Sequence, residues 1–118
     1  MSLPHDPRPN EPRTNGMEEL LQALWTKNYG ILEERLRLIR IAEEKLAGGL
    51  LDTQSRSDAE SAAHKLAGIL GTFGLSQGSA LASKIEALLA PGKALDTPSA
   101  RQLKSWLDEL EAMVASHP

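Results

Sequence analysis

His64 is the residue of this chain best suited to chemistry, because its helical neighbours leave the imidazole exposed. An α-helix advances about 100° per residue, which sets His64 almost opposite an apolar stripe that faces a core. Its own face carries small or polar residues, among them Ser61, Gly68 and Gly71. An imidazole in water has a pKa near about 6.5, so at neutral pH a ring nitrogen offers its lone pair to an activated phosphorus. The pattern predicts an exposed nucleophile in mid-helix.

The two glycines beside His64 need an explanation, because glycine inside a helix costs about 1 kcal/mol relative to alanine. Gly68 and Gly71 lie on the exposed side, where close packing between helices does not account for them. A face without side chains lets another macromolecule approach the imidazole, and this is the interpretation we favour. The alternative is a surface histidine with incidental glycines.

The run from His64 to Glu86 resembles the signature of histidine phosphotransfer (HPt) domains. In that signature an apolar residue, usually a lysine and then a glycine follow the histidine at the second, third and fourth positions, with a further glycine and a Leu-Glu-like pair later. The matching positions hold His64, Leu66, Gly68, Gly74, Ile85 and Glu86. Ala67 departs from the pattern, because it stands where the family usually has its lysine.

The resemblance implies a phosphorelay intermediate of two-component signal transduction. His64 would accept a phosphoryl group from a receiver-domain aspartate and pass it to another receiver, as a phosphocarrier without its own ATP site rather than an enzyme. The expected partners are response-regulator receiver domains, with a hybrid sensor kinase as a further candidate. We expect no cofactor and no metal in this chain, and Mg²⁺ in the partner receiver domain.

Ala67 cannot balance phosphate charge as the family's lysine is thought to do. Lys65, on the same helix, and Lys84, on the following one, are candidates for that role, and an ordinary surface lysine is the alternative for each. A receiver is expected to dock on Ser61, Ala67, Gly68 and Gly71. Glu86 matches the family pattern but receives no role from the sequence.

The composition argues against a nucleic-acid-binding protein and excludes a disulfide-bonded one. The chain has 118 residues with 13 basic and 16 acidic side chains, a net charge of −3 and no cysteine. This length suits one domain with a real core, and the missing basic patch argues against nucleic acid. The absence of cysteine excludes disulfides and fits a reducing compartment. We expect a cytoplasmic monomer.

Two domain segments are predicted, a disordered tail or linker over residues 1–16 and an HPt-like helical bundle domain over residues 17–118. The first segment holds four prolines and little apolar surface, and no apolar secretory segment follows the start. Residues 66–83 carry no charge but are rich in glycine and serine, which makes them a poor membrane span. We therefore expect no membrane insertion.

Apolar residues at helical spacing predict an all-α fold, an antiparallel four-helix bundle with an additional short N-terminal helix. Gly30 and the Asn28-Tyr29 pair mark a bend or short break after that helix. Two N-terminal ends are predicted for the helix that carries His64. It begins either at a capping box at Ser57 or earlier, at Asp52 or Thr53. Ser76 and Thr97 are the predicted caps of the last two helices. The further predicted features are Gly48-Gly49, Gly74 and Pro91-Gly92 as helix ends, a stripe of Ala80, Leu81, Ile85, Leu88 and Leu89, a stripe of Leu103, Leu107, Leu110 and Val114, and four structural aromatics, Trp25, Tyr29, Phe73 and Trp106.

Three other functions fit a helical bundle. The first is a non-catalytic protein-interaction module, in which replacing His64 would scarcely matter. The second is the dimerisation domain of a sensor kinase, where an acidic residue usually follows the histidine, whereas Lys65 does so here. The third is a metal-binding bundle, which has only His5 and His117 as further histidine ligands.

Overall fold

The computed structural model describes the backbone of residues 10–117 and the side chains of residues 16–117. It contains four helices: α1 (Asn10–Ala47), α2 (Thr53–Thr72), α3 (Ser76–Leu88) and α4 (Thr97–Ser116). Over this described range the backbone forms no strand. Short connections join successive helices, and the fold is the all-α antiparallel four-helix bundle that the apolar spacing predicts.

The predicted break near Gly30 is wrong, because α1 continues through it without interruption. A single glycine costs a helix only about 1 kcal/mol, which a long helix tolerates. The Asn28 amide also donates to the Leu24 carbonyl at 2.7 Å, inside the helix. An additional, separate N-terminal helix is therefore not confirmed. The chain nevertheless divides into two compact units at this point, Met1–Gly30 and Ile31–Pro118.

The start of α1 at Asn10 lies within the segment predicted as a tail or linker. Residues 1–9 of that segment lie outside the described residues. The predicted boundary between residues 16 and 17 is not tested and stays a prediction. Within the first unit, Trp25 is buried and its ring centroid lies 6.2 Å from that of Tyr29, in keeping with a structural role.

The core of the second unit is aliphatic and draws on all four helices. The predicted stripe of α4 is confirmed, with every member almost inaccessible to solvent. In α3, Ala80 is exposed rather than buried, and the buried face instead includes Gly78 and Ala82. The largest fully buried side chains are Leu32, Ile39, Leu66, Leu70, Ile85, Leu89, Leu103, Leu107, Leu110 and Val114.

The N-terminal caps differ in part from the predicted ones. Asp52 caps α2, its Oδ1 accepting from the Ser55 amide at 2.6 Å, so the early start is correct and the Ser57 capping box is wrong. Asp96, not Thr97, caps α4 in the same way. Ser76 is the first residue of α3 rather than its cap, and that helix has no side-chain cap bond.

The C-terminal end of α2 follows the prediction. Gly74 has a positive φ of 76°, a conformation that side chains disfavour and glycine adopts readily. This lets the Leu75 amide donate to the Leu70 carbonyl at 2.9 Å and the Gly74 amide to the Gly71 carbonyl at 3.0 Å. Gly49, with a φ of 73°, ends α1 in the same manner.

An ionic cluster around Arg40 joins α1 to α4. The Arg40 guanidinium donates to Glu43 at 2.8 Å, to Asp108 at 2.7 Å and to Glu111 at 2.6 Å. Burial alone would lower the pKa of Arg40, but the hydrogen bonds from Glu111, Asp108 and Glu43 raise it above its ordinary value. The cluster is saturated, since every carboxylate in it has a cationic partner.

Candidate functional site

His64 lies in the middle of α2, and its side chain is 73% exposed, as the spacing predicts. The opposite face of the helix supplies the core, through Ala59, Ala62, Ala63, Leu66 and Leu70. A residue in mid-helix has a rigid backbone, so the position of the imidazole is set by the packing of that opposite face. The ring is thus accessible, on a backbone that the core holds in place.

Glu86 of α3 holds one side of the imidazole. Its Oε2 lies 3.0 Å from the Nδ1 of His64. An ionised carboxylate can only accept a hydrogen bond, so this contact favours the tautomer with the proton on Nδ1. In the neutral ring the lone pair is then on Nε2. Within the described residues, Nε2 makes no hydrogen bond.

The packing of α3 against α2 brings Glu86 to the ring. Ile85 is fully buried, so its neighbour Glu86 lies at the edge of the helix interface, with its side chain 33% exposed. A second contact locks the two helices in register, because the Ser79 hydroxyl donates to the Ala67 carbonyl at 2.8 Å. This role of Glu86 was not predicted from the sequence, where the Ile85-Glu86 pair of the family motif was the available signal.

The glycine face beside His64 has no structural requirement for glycine. A Cβ at Gly68 would meet no atom within 4 Å, and one at Gly71 would make only an ordinary contact with the Ser79 hydroxyl at 3.5 Å. Gly78 of α3 differs, since its Cβ would meet Leu70 at 3.3 Å in the core. Packing explains Gly78, whereas Gly68 leaves open space in front of the site.

The remaining predicted site residues lie around this face. Ser61 is exposed one turn before His64, and Ala67 is half-buried. Lys65 is exposed, and its side chain makes no hydrogen bond or ion pair with any described residue. Lys84 has a different environment, because its Nζ lies 6.0 Å from the centroid of the Trp106 ring on α4. The roles predicted for these residues are not tested by this geometry.

Chemically, the arrangement offers one oriented nucleophile at an open surface. Among residues 16–117, no three His, Cys, Asp or Glu side chains are grouped so that they could hold a metal ion. In the same part of the chain, no helix combines the length and the apolar character needed to cross a membrane.

Comparison with known proteins links this geometry to a family. The family model described as Hpt domain matches residues 17–115, which include the helix of His64 and the helix of Glu86. No match was found among curated proteins or among solved structures.

Proposed function

The chain belongs to the Hpt domain family, and from that premise we propose that His64 is its phosphoacceptor. Members of the family are phosphocarrier modules that take part in histidine phosphotransfer within two-component phosphorelays, and they interact with response-regulator receiver domains. The observation that carries the assignment to this residue is the exposed ring whose Nδ1 lies 3.0 Å from Glu86. His117, at the end of α4, has no comparable position in the motif.

The proposed reaction uses the lone pair of Nε2. It attacks the phosphorus of an aspartyl phosphate on a receiver, so that a P–N bond forms while the P–O bond to the aspartate breaks. The aspartate carboxylate leaves with the electron pair. The proton on Nδ1 stays in place, and the positive charge that the ring acquires faces the Glu86 carboxylate at 3.0 Å. The reverse reaction passes the phosphoryl group to a second receiver.

Charge balance at the phosphoryl group is shared in this proposal. Mg²⁺ in the partner receiver would supply positive charge on the phosphoryl oxygens, and no cation of this kind is assigned to the present chain. On this chain Lys65 is the better supported candidate, because its ammonium has no partner among residues 16–117 and it is one position from His64. Lys84 would first have to leave the Trp106 ring. We therefore propose Lys65 as the main replacement for the lysine missing at Ala67.

The proposed docking surface for a receiver comprises Ser61, Ala67, Gly68 and Gly71. Its flatness supports this, since Gly68 has open space where a side chain would project. Some transient signalling contacts bury less than about 1,200 Å² in total, so a small docking surface is compatible with this function. We further propose that the chain acts as a cytoplasmic monomer, and that a hybrid sensor kinase is one source of its phosphoryl groups.

The test is phosphoryl uptake from radiolabelled phospho-receiver domains of the same organism at neutral pH with Mg²⁺. The wild type should acquire acid-labile, base-stable label, His64→Gln should acquire none, and His117→Gln should label like the wild type. Equal labelling of His64→Gln would overturn the assignment. If no receiver labels the folded wild type, with folding checked by circular dichroism, the non-catalytic interaction module becomes the better function.

A further inference from the structure

A second surface feature of the second unit is a groove that does not include His64. The groove, of about 730 Å³, is formed where α1 ends and where α2 and α4 begin, together with the connection between α3 and α4. Its apolar lining consists of Leu46, Ala47, Leu51, Ala94, Leu95 and Ala100. Arg56, at the groove, precedes His64 by eight residues, which is about 12 Å along α2. The groove is therefore separate from the imidazole.

The rim of the groove is cationic, although the chain as a whole carries a net charge of −3. Arg56, Lys93, Arg101 and Lys104 all line it. Lys104 is paired with Asp108 at 2.9 Å, but the side chains of Lys93 and Arg101 make no hydrogen bond or ion pair within the described residues. Two exposed cations are thus available to an incoming anion.

The two acidic residues of the lining, Glu43 and Asp96, offset part of this charge, but the four basic side chains outnumber them. The Glu43 carboxylate is only 8% exposed and accepts from Arg40 at 2.8 Å. Asp96 caps α4, accepting from the amide and the hydroxyl of Ser99, and these bonds lower the pKa of its carboxyl group. Among the described residues neither carboxylate forms an ion pair with Lys93 or Arg101, so the groove keeps an excess of positive charge.

The groove is also rigid. The Arg56 guanidinium donates to the carbonyl oxygens of Leu89, Ala90 and Lys93, which pins the connection after α3 to the start of α2. Beside it, Leu50 is 76% exposed between two residues that line the groove, Gly49 and Leu51. A preformed surface binds without the cost of ordering loops, and an exposed leucine next to it offers an apolar anchor.

We propose that this groove binds an acidic, amphipathic peptide segment of a partner protein. Apolar side chains of the segment would cover the lining and Leu50, and its carboxylates would pair with Lys93 and Arg101. Most of the lining residues are themselves exposed, so a small ligand would not reach the burial of roughly 70–90% that small-molecule sites give. The occupant is therefore assigned as peptide, and it would dock while His64 remains accessible.

The experiment measures binding of a fluorescein-labelled 12-residue peptide of alternating glutamate and leucine pairs by fluorescence anisotropy at low salt. The wild type should bind it, and the double variant K93Q/R101Q should bind about fivefold more weakly, since it loses two exposed charge pairs. The matched control K27Q/K65Q, which removes the same net charge elsewhere, should bind within twofold of the wild type. Leu50→Ser should also weaken binding. Amide shifts in ¹⁵N spectra should map to the groove.

Three outcomes would overturn the proposal. They are equal loss of binding in the two double variants, equal binding of a peptide with lysine in place of glutamate, and no binding of the acidic peptide at millimolar concentration. Decanoate serves as the small-molecule arm, and binding of decanoate without binding of the peptide also rejects a peptide site. Phosphoryl uptake by K93Q/R101Q should equal that of the wild type, so this test is independent of the role of His64.

Discussion

Arg40 and His64 each join two helices through a carboxylate, yet their surroundings differ. Arg40 makes hydrogen bonds to three carboxylates on α1 and α4, and one of these, Glu43, is only 8% exposed. The His64 side chain is 73% exposed. A single carboxylate contacts one of its ring nitrogens, and the other nitrogen has no hydrogen bond among the described residues. A saturated cluster contributes to holding helices together, whereas an oriented but unsaturated group is available for reaction.

The largest effect on stability is expected at Arg40. Arg40→Met leaves the buried Glu43 carboxylate without its partner, and we expect the free energy of unfolding to fall by about 2 kcal/mol. Urea denaturation measures this, and phosphoryl uptake by the folded variant should be unchanged. The matched control is Arg37→Met, which removes an exposed pair with Glu34 and should change stability little. Equal losses of stability in both variants would contradict a larger contribution from the Arg40 cluster than from an exposed ion pair.

Replacing Glu86 should slow phosphoryl transfer but leave stability nearly unchanged, the reverse of what is expected at Arg40. Glu86→Ala removes a hydrogen bond to the imidazole, which becomes charged on phosphorylation, and such bonds contribute about 1.5 kcal/mol or more, so transfer should slow by about tenfold. The free energy of unfolding of Glu86→Ala should differ little from that of the wild type. Glu86→Gln can still accept from Nδ1 and should lie between the two rates.

The imidazole ¹⁵N shifts provide a readout that a purely structural role would not affect. We expect them to report a proton on Nδ1 in the wild type and in Glu86→Gln, and a mixture of tautomers in Glu86→Ala. Unchanged shifts in all three proteins would show that Glu86 does not orient the ring.

Gly68 should separate the requirements of the fold from those of docking. Gly68→Ala adds a Cβ where nothing lies within 4 Å, so helix propensity should raise the free energy of unfolding by about 0.5–1 kcal/mol. Gly68→Gln should instead slow transfer by crowding the approach of a receiver. Gly78→Ala is the control. Its Cβ would meet Leu70 at 3.3 Å, so this variant should not show the increase in the free energy of unfolding. Unimpaired transfer by Gly68→Gln would argue against docking on this face.

The smallest effect on stability is expected at acidic pH when Asp52, the N-terminal cap of α2, is replaced. The bond from the Ser55 amide, followed by the contact with Lys45, lowers the pKa of Asp52 from 3.8 to about 2. A lowered pKa means that the ionised cap stabilises the fold fully above about pH 4 and that this contribution is lost as the pH falls through about 2. Thermal unfolding between these values should show a flatter pH dependence for Asp52→Asn. An unchanged slope would assign the acid sensitivity to other carboxylates.

Local signals were the most reliable part of the sequence interpretation. Gly74 ends α2 as predicted, because glycine adopts a positive φ far more readily than other residues do. The choice among possible caps was harder. Ser57 and Asp52 both fit cap patterns, and the structure favours Asp52, where Lys45 of α1 also reaches Asp52 at 3.0 Å and Ser55 at 2.8 Å. A contact between helices of this kind is invisible to a local pattern.

Helical periodicity was enough to predict that His64 is exposed, that Gly68 lies beside it and that one face of α2 is buried. The contacts between helices depend instead on how the helices pack. Glu86, 22 residues from His64, orients the ring, and Lys84 lies over Trp106. Arg40 contacts Asp108 across 68 residues. Such pairings depend on the register and rotation of packed helices, which the periodicity of each helix alone does not specify.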